Sequence, residues 1–216
     1  MPSIVSIVGN SGSGKTTLIE KLIHELKSRG HRVATIKHAQ EVTTGDSGKD
    51  SWRHLQAGSE TTVISSPDKI VLIKPVALGA TLDELTHLFG EDYDVILAEG
   101  FKQGNVPKIE VHHRESGLPL SGIKKLIAIA TDESLETKTR QFPVDDVKGL
   151  ADLLETGFIK SRGDRLSLYL NNKPIPLSTF PKQIISNVLV AMASSLKGVS
   201  QVESLEFFLR REKRDG

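Results

Sequence analysis

The chain contains no cysteine, which excludes disulfides, thiolate metal centres and cysteine nucleophiles. It has no excess of either charge. Lys plus Arg number 28 and Asp plus Glu 27, a net charge of +1, so electrostatics makes no case for a nucleic-acid or membrane partner. No apolar run is long enough to span a bilayer, and the N-terminus enters a strand pattern without the charged-then-apolar layout of a signal peptide. The expectation is a cytoplasmic protein. Internal repeats and low-complexity tracts are also missing. The single tryptophan, Trp52, reads as a packing residue rather than a base-stacking one. What is present is an ordinary globular composition, 38% hydrophobic and 25% charged over 216 residues, enough for one α/β domain and a small appendage.

Short Val- and Ile-rich runs recur at Ile4–Val8, Arg32–Lys37, Thr61–Ser65, Lys69–Ile73, Val95–Glu99, Lys108–His112 and Leu126–Thr131. Most lack strict alternation, as strands buried on both faces do. Helical patterns separate them: Thr16–Arg29, Lys49–Ala57, Leu82–Phe89 and Val147–Leu154, with glycines at 30, 58, 90 and 157 as stops. The alternation predicts a mainly parallel sheet with helices on both faces. Thr61–Ser65 and Lys69–Ile73, joined by "SPD", read as an antiparallel pair. Residues 1–157 form this domain. Residues 158–216 read as a small α+β extension: a hairpin in "RLSLYLNNKPIPL" turning at Asn171-Asn172, a helix over Phe180–Leu196 and a final strand over Val202–Leu209. That extension is too small for a large core of its own and is expected to pack on the main domain or on a second chain.

Gly9-Asn10-Ser11-Gly12-Ser13-Gly14-Lys15-Thr16 satisfies G-x-x-x-x-G-K-[ST], after a strand and before a helix. The glycines let backbone N–H groups turn inward on phosphate oxygens, and the following helix adds its N-terminal amides and dipole. Lys15 is placed to reach the β- and γ-phosphates and the Thr16 hydroxyl to hold Mg²⁺. Glu99 falls at the carboxyl end of a buried strand in "YDVILAEGFK", where ligands bind in open α/β sheets. It can meet Mg²⁺ through a water or polarise the attacking water; pairing with Lys37 or Lys102 is the structural alternative. Asp94, at the other end of the strand, reads as a surface or capping residue. Lys102 faces either a phosphate or solvent.

The P-loop, "IKHA", "GKDSWRHLQAGS", "YDVILAEGFK", "VPKIEVHHR", "IAIATDE" and "VDDVKGLADLLE" occur in an order that resembles the MobB family, the molybdopterin-guanine dinucleotide biosynthesis adaptor proteins, within the P-loop NTPases. The resemblance covers about residues 3 to 156. It implies GTP binding, weak GTP hydrolysis, a homodimer, and a supporting role beside the nucleotidyltransferase that joins GMP to the molybdenum-bearing pterin and the enzymes that receive the cofactor. It carries Gly9, Gly14, Lys15, Thr16 and Thr17 over as phosphate residues and Glu99 as the acidic partner. Lys49, Asp50 and Arg53, with Lys102, carry over as a pocket for the nucleotide's active end or for molybdopterin or its guanine dinucleotide. The chain departs from the family pattern at Ala39, Gln40 and Glu41, and at Gly45, with Asp46 displaced by one.

Guanine recognition needs a carboxylate that accepts from both the ring N–H and the exocyclic amine. Asp132 is the first candidate; Asp145 and Asp146 lie in the next loop, and each of the three could instead cap a helix. His112 and His113 point to opposite faces of a strand and make a poor chelating pair. Two other classes of function stay open from residues alone: a P-loop small-molecule kinase, and a GTPase metallochaperone for another metal.

Overall fold

The computed structural model describes residues 2–39, 50–76, 79–90, 92–159, 166–171 and 173–209. The chain divides into two compact units, Met1–Gly163 and Asp164–Gly216. The first contains β1 (Ser3–Val8), α1 (Lys15–Ser28), β2 (Val33–Lys37), α2 (Asp50–Gln56), β3 (Thr62–Ser65), β4 (Ile70–Ile73), α3 (Leu82–His87), β5 (Val95–Glu99), β6 (Lys108–His112), β7 (Leu126–Thr131), β8 (Gln141–Pro143) and α4 (Val147–Gly157).

Six strands form one sheet in the order β2-β5-β1-β6-β7-β8, and every neighbouring pair is parallel. All carboxyl ends therefore lie along one edge. Register sets Ile7 beside Glu99 and Glu99 beside Lys37. On one face, Leu18, Leu22 and Leu26 of α1 and Leu150 and Leu154 of α4 pack with Val5, Ile7, Leu97, Ile109 and Val111. Each such side chain contributes about 1.5–3 kcal/mol by leaving water. The apolar spacing of α1 at positions 18, 22 and 26 is the i, i+4 stripe that makes it a helix, and the left-handed Gly30 stops it. On the other face, Leu82 of α3 packs with Ala34, Ile36, Ile96 and Ala98. A capping box between Thr81 and Glu84 opens α3, and Asp146 caps α4 by accepting from the Gly149 N–H.

Two buried charged residues, one just before β5 and one at the start of β6, are held by the backbone around them. The first, Asp94, is buried rather than at the surface: its Oδ2 accepts from the Arg32 N–H at 2.7 Å and fixes the start of β2. The second, Lys108, is fully buried at the start of β6, and its ammonium donates to the carbonyls of Gly104, Val106 and Lys124. Burial lowers its pKa.

β8 is a three-residue strand that hydrophobic periodicity does not announce. β3 and β4 pair antiparallel as a separate two-stranded sheet, and α2 packs against β3. In the second unit, β9 (Leu168–Leu170) and β10 (Lys173–Ile175) form the expected hairpin, with Asn171 at φ 53°, and α5 runs over Thr179–Ser194. The strand expected over Val202–Leu209 is not formed; those residues are irregular. A strand needs a hydrogen-bonded neighbour, and apolar composition alone does not supply one. The family departures at 40–46 lie outside the described residues, apart from Ala39.

Candidate functional site

The carboxyl end of β1 opens into the loop Gly9–Gly14, and α1 starts at Lys15. Gly9 has no room for a side chain: a Cβ there would collide with Ser13 Oγ and the Val111 carbonyl. Gly14 sits at φ 82°, ψ 15°, the left-handed conformation that turns the loop into the helix. Lys15 bends back over the loop and donates to the Asn10 carbonyl at 2.6 Å and the Gly9 carbonyl at 3.4 Å. Ser11 and Gly12 are exposed, whereas Ser13 is buried. The Asn10 side chain points away from the loop and donates to the carbonyls of Ser116 and Leu118, each at 3.0 Å.

Thr16 and Glu99 meet. The Thr16 hydroxyl lies 3.1 Å from both carboxylate oxygens of Glu99, and Lys37 Nζ stands 3.7 Å from Glu99 Oε2. The register of β1, β5 and β2 makes this convergence unavoidable. Lys15 has its pKa lowered, first by burial, with Glu99 opposing and the charges of Lys102 and Lys37 adding to the lowering. Thus Lys102, exposed on the loop after β5, is close enough to act on Lys15 electrostatically. Among the described residues no group of three or more His, Asp or Glu side chains is placed to hold a metal. A hydroxyl and one carboxylate are instead the hard oxygen donors that suit Mg²⁺ shared with phosphates and water.

An open cleft of about 860 Å³ adjoins the P-loop, reaching from Gly14 and Thr17 to the loops after β7 and β8. His113 lies on its floor, with Nε2 3.5 Å from where a Cβ on Gly14 would stand. Its Nδ1 is 3.0 Å from Asp132 Oδ2, and because a carboxylate only accepts, Nδ1 carries the proton. Asp132 Oδ1 accepts from the Arg114 N–H at 3.0 Å. These two donors hold Asp132 below its ordinary pKa. Beneath it, buried His112 pairs through Nε2 with Glu133 Oε1 at 2.8 Å. Farther along the cleft, Lys21 of α1 donates to Asp145 Oδ1 at 2.7 Å and holds that carboxyl below its usual range.

The second-ligand group is only partly brought together. Lys49 lies outside the described residues. Asp50 and Arg53 pair with each other at 3.3 Å on an exposed helix, and no hydrogen bond or ion pair joins them to Lys102 among the described residues. Trp52 beside them is half-exposed rather than packed. Sequence reasoning set His113 aside as a poor chelating partner of His112, and overlooked Lys21 and the β8 segment. Only "VHH", at the carboxyl end of a strand, could have pointed to His113.

A family model described as "MobB: Molybdopterin guanine dinucleotide synthesis protein B" matches residues 4–132. The molybdopterin-guanine dinucleotide biosynthesis adapter protein of Haemophilus influenzae is 37% identical over 165 residues, covering 75% of this chain and 93% of that protein. The protein of the same name from Escherichia coli is 31% identical over 172 residues, covering 76% and 97%. A crystal structure of molybdopterin-guanine biosynthesis protein B aligns with a TM-score of 0.56 at 32% identity, over 71% of this chain and 97% of its own. The parallel sheet, the P-loop and its acidic partner, and matches spanning most of the first unit lead to one conclusion: this chain belongs to the MobB family.

Proposed function

We infer that the protein is a GTP-binding, slowly hydrolysing adaptor in molybdopterin guanine dinucleotide biosynthesis. Its MobB membership supports the adaptor role. The observation that carries the nucleotide reading is the convergence of Lys15, Thr16 and Glu99 at the end of β1 and β5. Lys15 would exchange its carbonyl partners for the β- and γ-phosphate oxygens, and the amides at the start of α1 would bind the same anion. Thr16 and Glu99 would hold Mg²⁺, which when bound neutralises charge developing on the phosphates. Hydrolysis is slow in this reading because the cations around Glu99 are the lysines at 15, 37 and 102, with no bidentate guanidinium among them. His113, held by Asp132, would position the ligand beside Gly14. Lys102 and Arg53 would meet the charged end of a second ligand, molybdopterin or its guanine dinucleotide. The site of action would be the cytoplasm; no described helix is long and apolar enough to cross a membrane.

We also assign the β3–β4 hairpin to pairing with a second copy of the chain. An isolated two-stranded sheet is marginal in water, and here Val63 and the Leu72 opposite it are both exposed, as is Ile70. The wider reading is tested by calorimetric titration of GTP, ATP and molybdopterin-guanine dinucleotide with Mg²⁺, using wild type and Lys15→Ala. GTP binding that Lys15→Ala abolishes is the expected result. ATP preference with phosphate transfer to an acceptor would overturn it in favour of a kinase.

A further inference from the structure

We propose that the Lys21–Asp145 ion pair reads the base of the bound nucleotide and selects guanine. This deepens the nucleotide reading above and rests on it. The argument begins with which carboxylates in the cleft are available. A carboxylate that recognises guanine must offer oxygens to two adjacent donors, N1–H and the exocyclic amine. Asp132 has one donor on each oxygen, the His113 ring and the Arg114 N–H, and these fix its orientation and leave it fewer acceptor sites than Asp145 has. Glu133 is held against buried His112. The Gln141 amide is spent in both directions on the backbone of Leu135. The Asp145 side chain is 87% exposed, and among the described residues its one hydrogen-bond partner is Lys21.

Position agrees with availability. Gly14 and Thr17 form the phosphate end of the cleft. Lys21 follows Thr17 by one helical turn, about 6 Å along α1, and with Asp145 it lines the same cleft beyond the phosphate end. Pro143 and Val144 line the cleft with accessible apolar side chains, backed by the buried Leu18 and Phe142, and supply an apolar surface for the base plane.

The pair also has the right polarity. Along its edge guanine presents an acceptor, O6, then two donors, N1–H and N2–H. Adenine presents a donor at N6 and an acceptor at N1. An ammonium only donates and a carboxylate only accepts. Lys21 on O6 and Asp145 on the two donors satisfy guanine fully, whereas adenine would set donor against donor and acceptor against acceptor. Asp145 is an exposed carboxylate, ionised at neutral pH, and the hydrogen bond from Lys21 lowers its pKa further. The pair thus holds its acceptor form before the base arrives.

The test is equilibrium titration of the full chain with GTP, ATP and XTP, using wild type, D145N, D132N and K21M. D145N should lose GTP affinity roughly ten- to hundredfold and gain XTP affinity, because its amide still accepts from N1–H and now donates to the xanthine O2. K21M should narrow the GTP-to-ATP ratio, and D132N should keep the wild-type preference for GTP over XTP. Both side chains of the pair lie at the surface, so D145N should keep the wild-type circular dichroism spectrum. A D145N chain with the wild-type GTP-to-XTP ratio, or a switch seen in D132N instead, overturns this inference and leaves triphosphate binding standing. A wild-type chain that binds no triphosphate overturns the nucleotide reading itself.

Discussion

At the residue scale the site depends on a short polar chain from Thr16 through Glu99 to Lys37. Glu99→Gln keeps the size and one acceptor oxygen but removes the charge that pairs with Lys37 and that, in the proposed reading, Mg²⁺ would require. GTP affinity should change by no more than about threefold, while single-turnover phosphate release should slow by at least about tenfold. An unchanged rate would place the acidic role on another residue. The sequence revealed Lys15, Thr16 and Glu99 readily, for a local reason. The P-loop is a contiguous backbone motif, and Glu99 is marked by a buried strand ending in a charge. Lys21 carries no such mark, and Asp145 is one of three candidate aspartates that the sequence does not tell apart until packing joins positions 124 residues apart. His113 was hidden in the same way. Strand alternation separates it from His112, but only the fold shows that it faces Gly14.

The element scale is governed by how α1 is fixed to α4. Arg29, at the end of α1, contacts Glu25 at 2.8 Å and Asp152 and Glu155 at 2.6 Å each, and His31 adds a 2.5 Å contact to Glu155. Since α1 begins at the P-loop Lys15, this cluster holds the candidate site from its far end. Arg29→Met should lower stability by about 1–2 kcal/mol, discounted for the exposure of Asp152, and a urea transition would show it. Acidity acts on the same cluster. His31 and then Arg29 hold Glu155 below its ordinary pKa of 4.5. A depressed carboxylate gives its stability above the unfolded value and loses it as pH falls through the folded one. The urea midpoint should therefore drop below about pH 4.5, and Glu155→Gln should flatten that drop. The elements themselves were largely legible because buried parallel strands and glycine-stopped helices leave clear patterns. Two were not. β8 is too short to show a period, and its three residues are a strand only because β7 offers an edge. Val202–Leu209 has the composition of a strand but pairs with none among the described residues.

For the whole molecule, an exposed apolar surface lies on the β3–β4 hairpin, where Val63, Ile70 and Leu72 are open although α2 packs against β3. Ile70→Lys places a charge on this surface and should convert a dimer of full-length chains to monomers in sedimentation velocity, with nucleotide affinity retained. A wild-type chain that sediments as a monomer at all concentrations would sink the pairing. Composition could not reveal this, because a hairpin that needs a partner has the same residues as one that does not.

Buried Lys108 has a consequence for how this protein can vary in length. Its three acceptors lie in two separate loops, Gly104 and Val106 in one and Lys124 in the other. Inserting or deleting a residue between Gly104 and Lys108, or beside Lys124, would pull a carbonyl from a cation that has no water to replace it. Natural and engineered variants should keep the lengths of both loops fixed and accept new residues elsewhere.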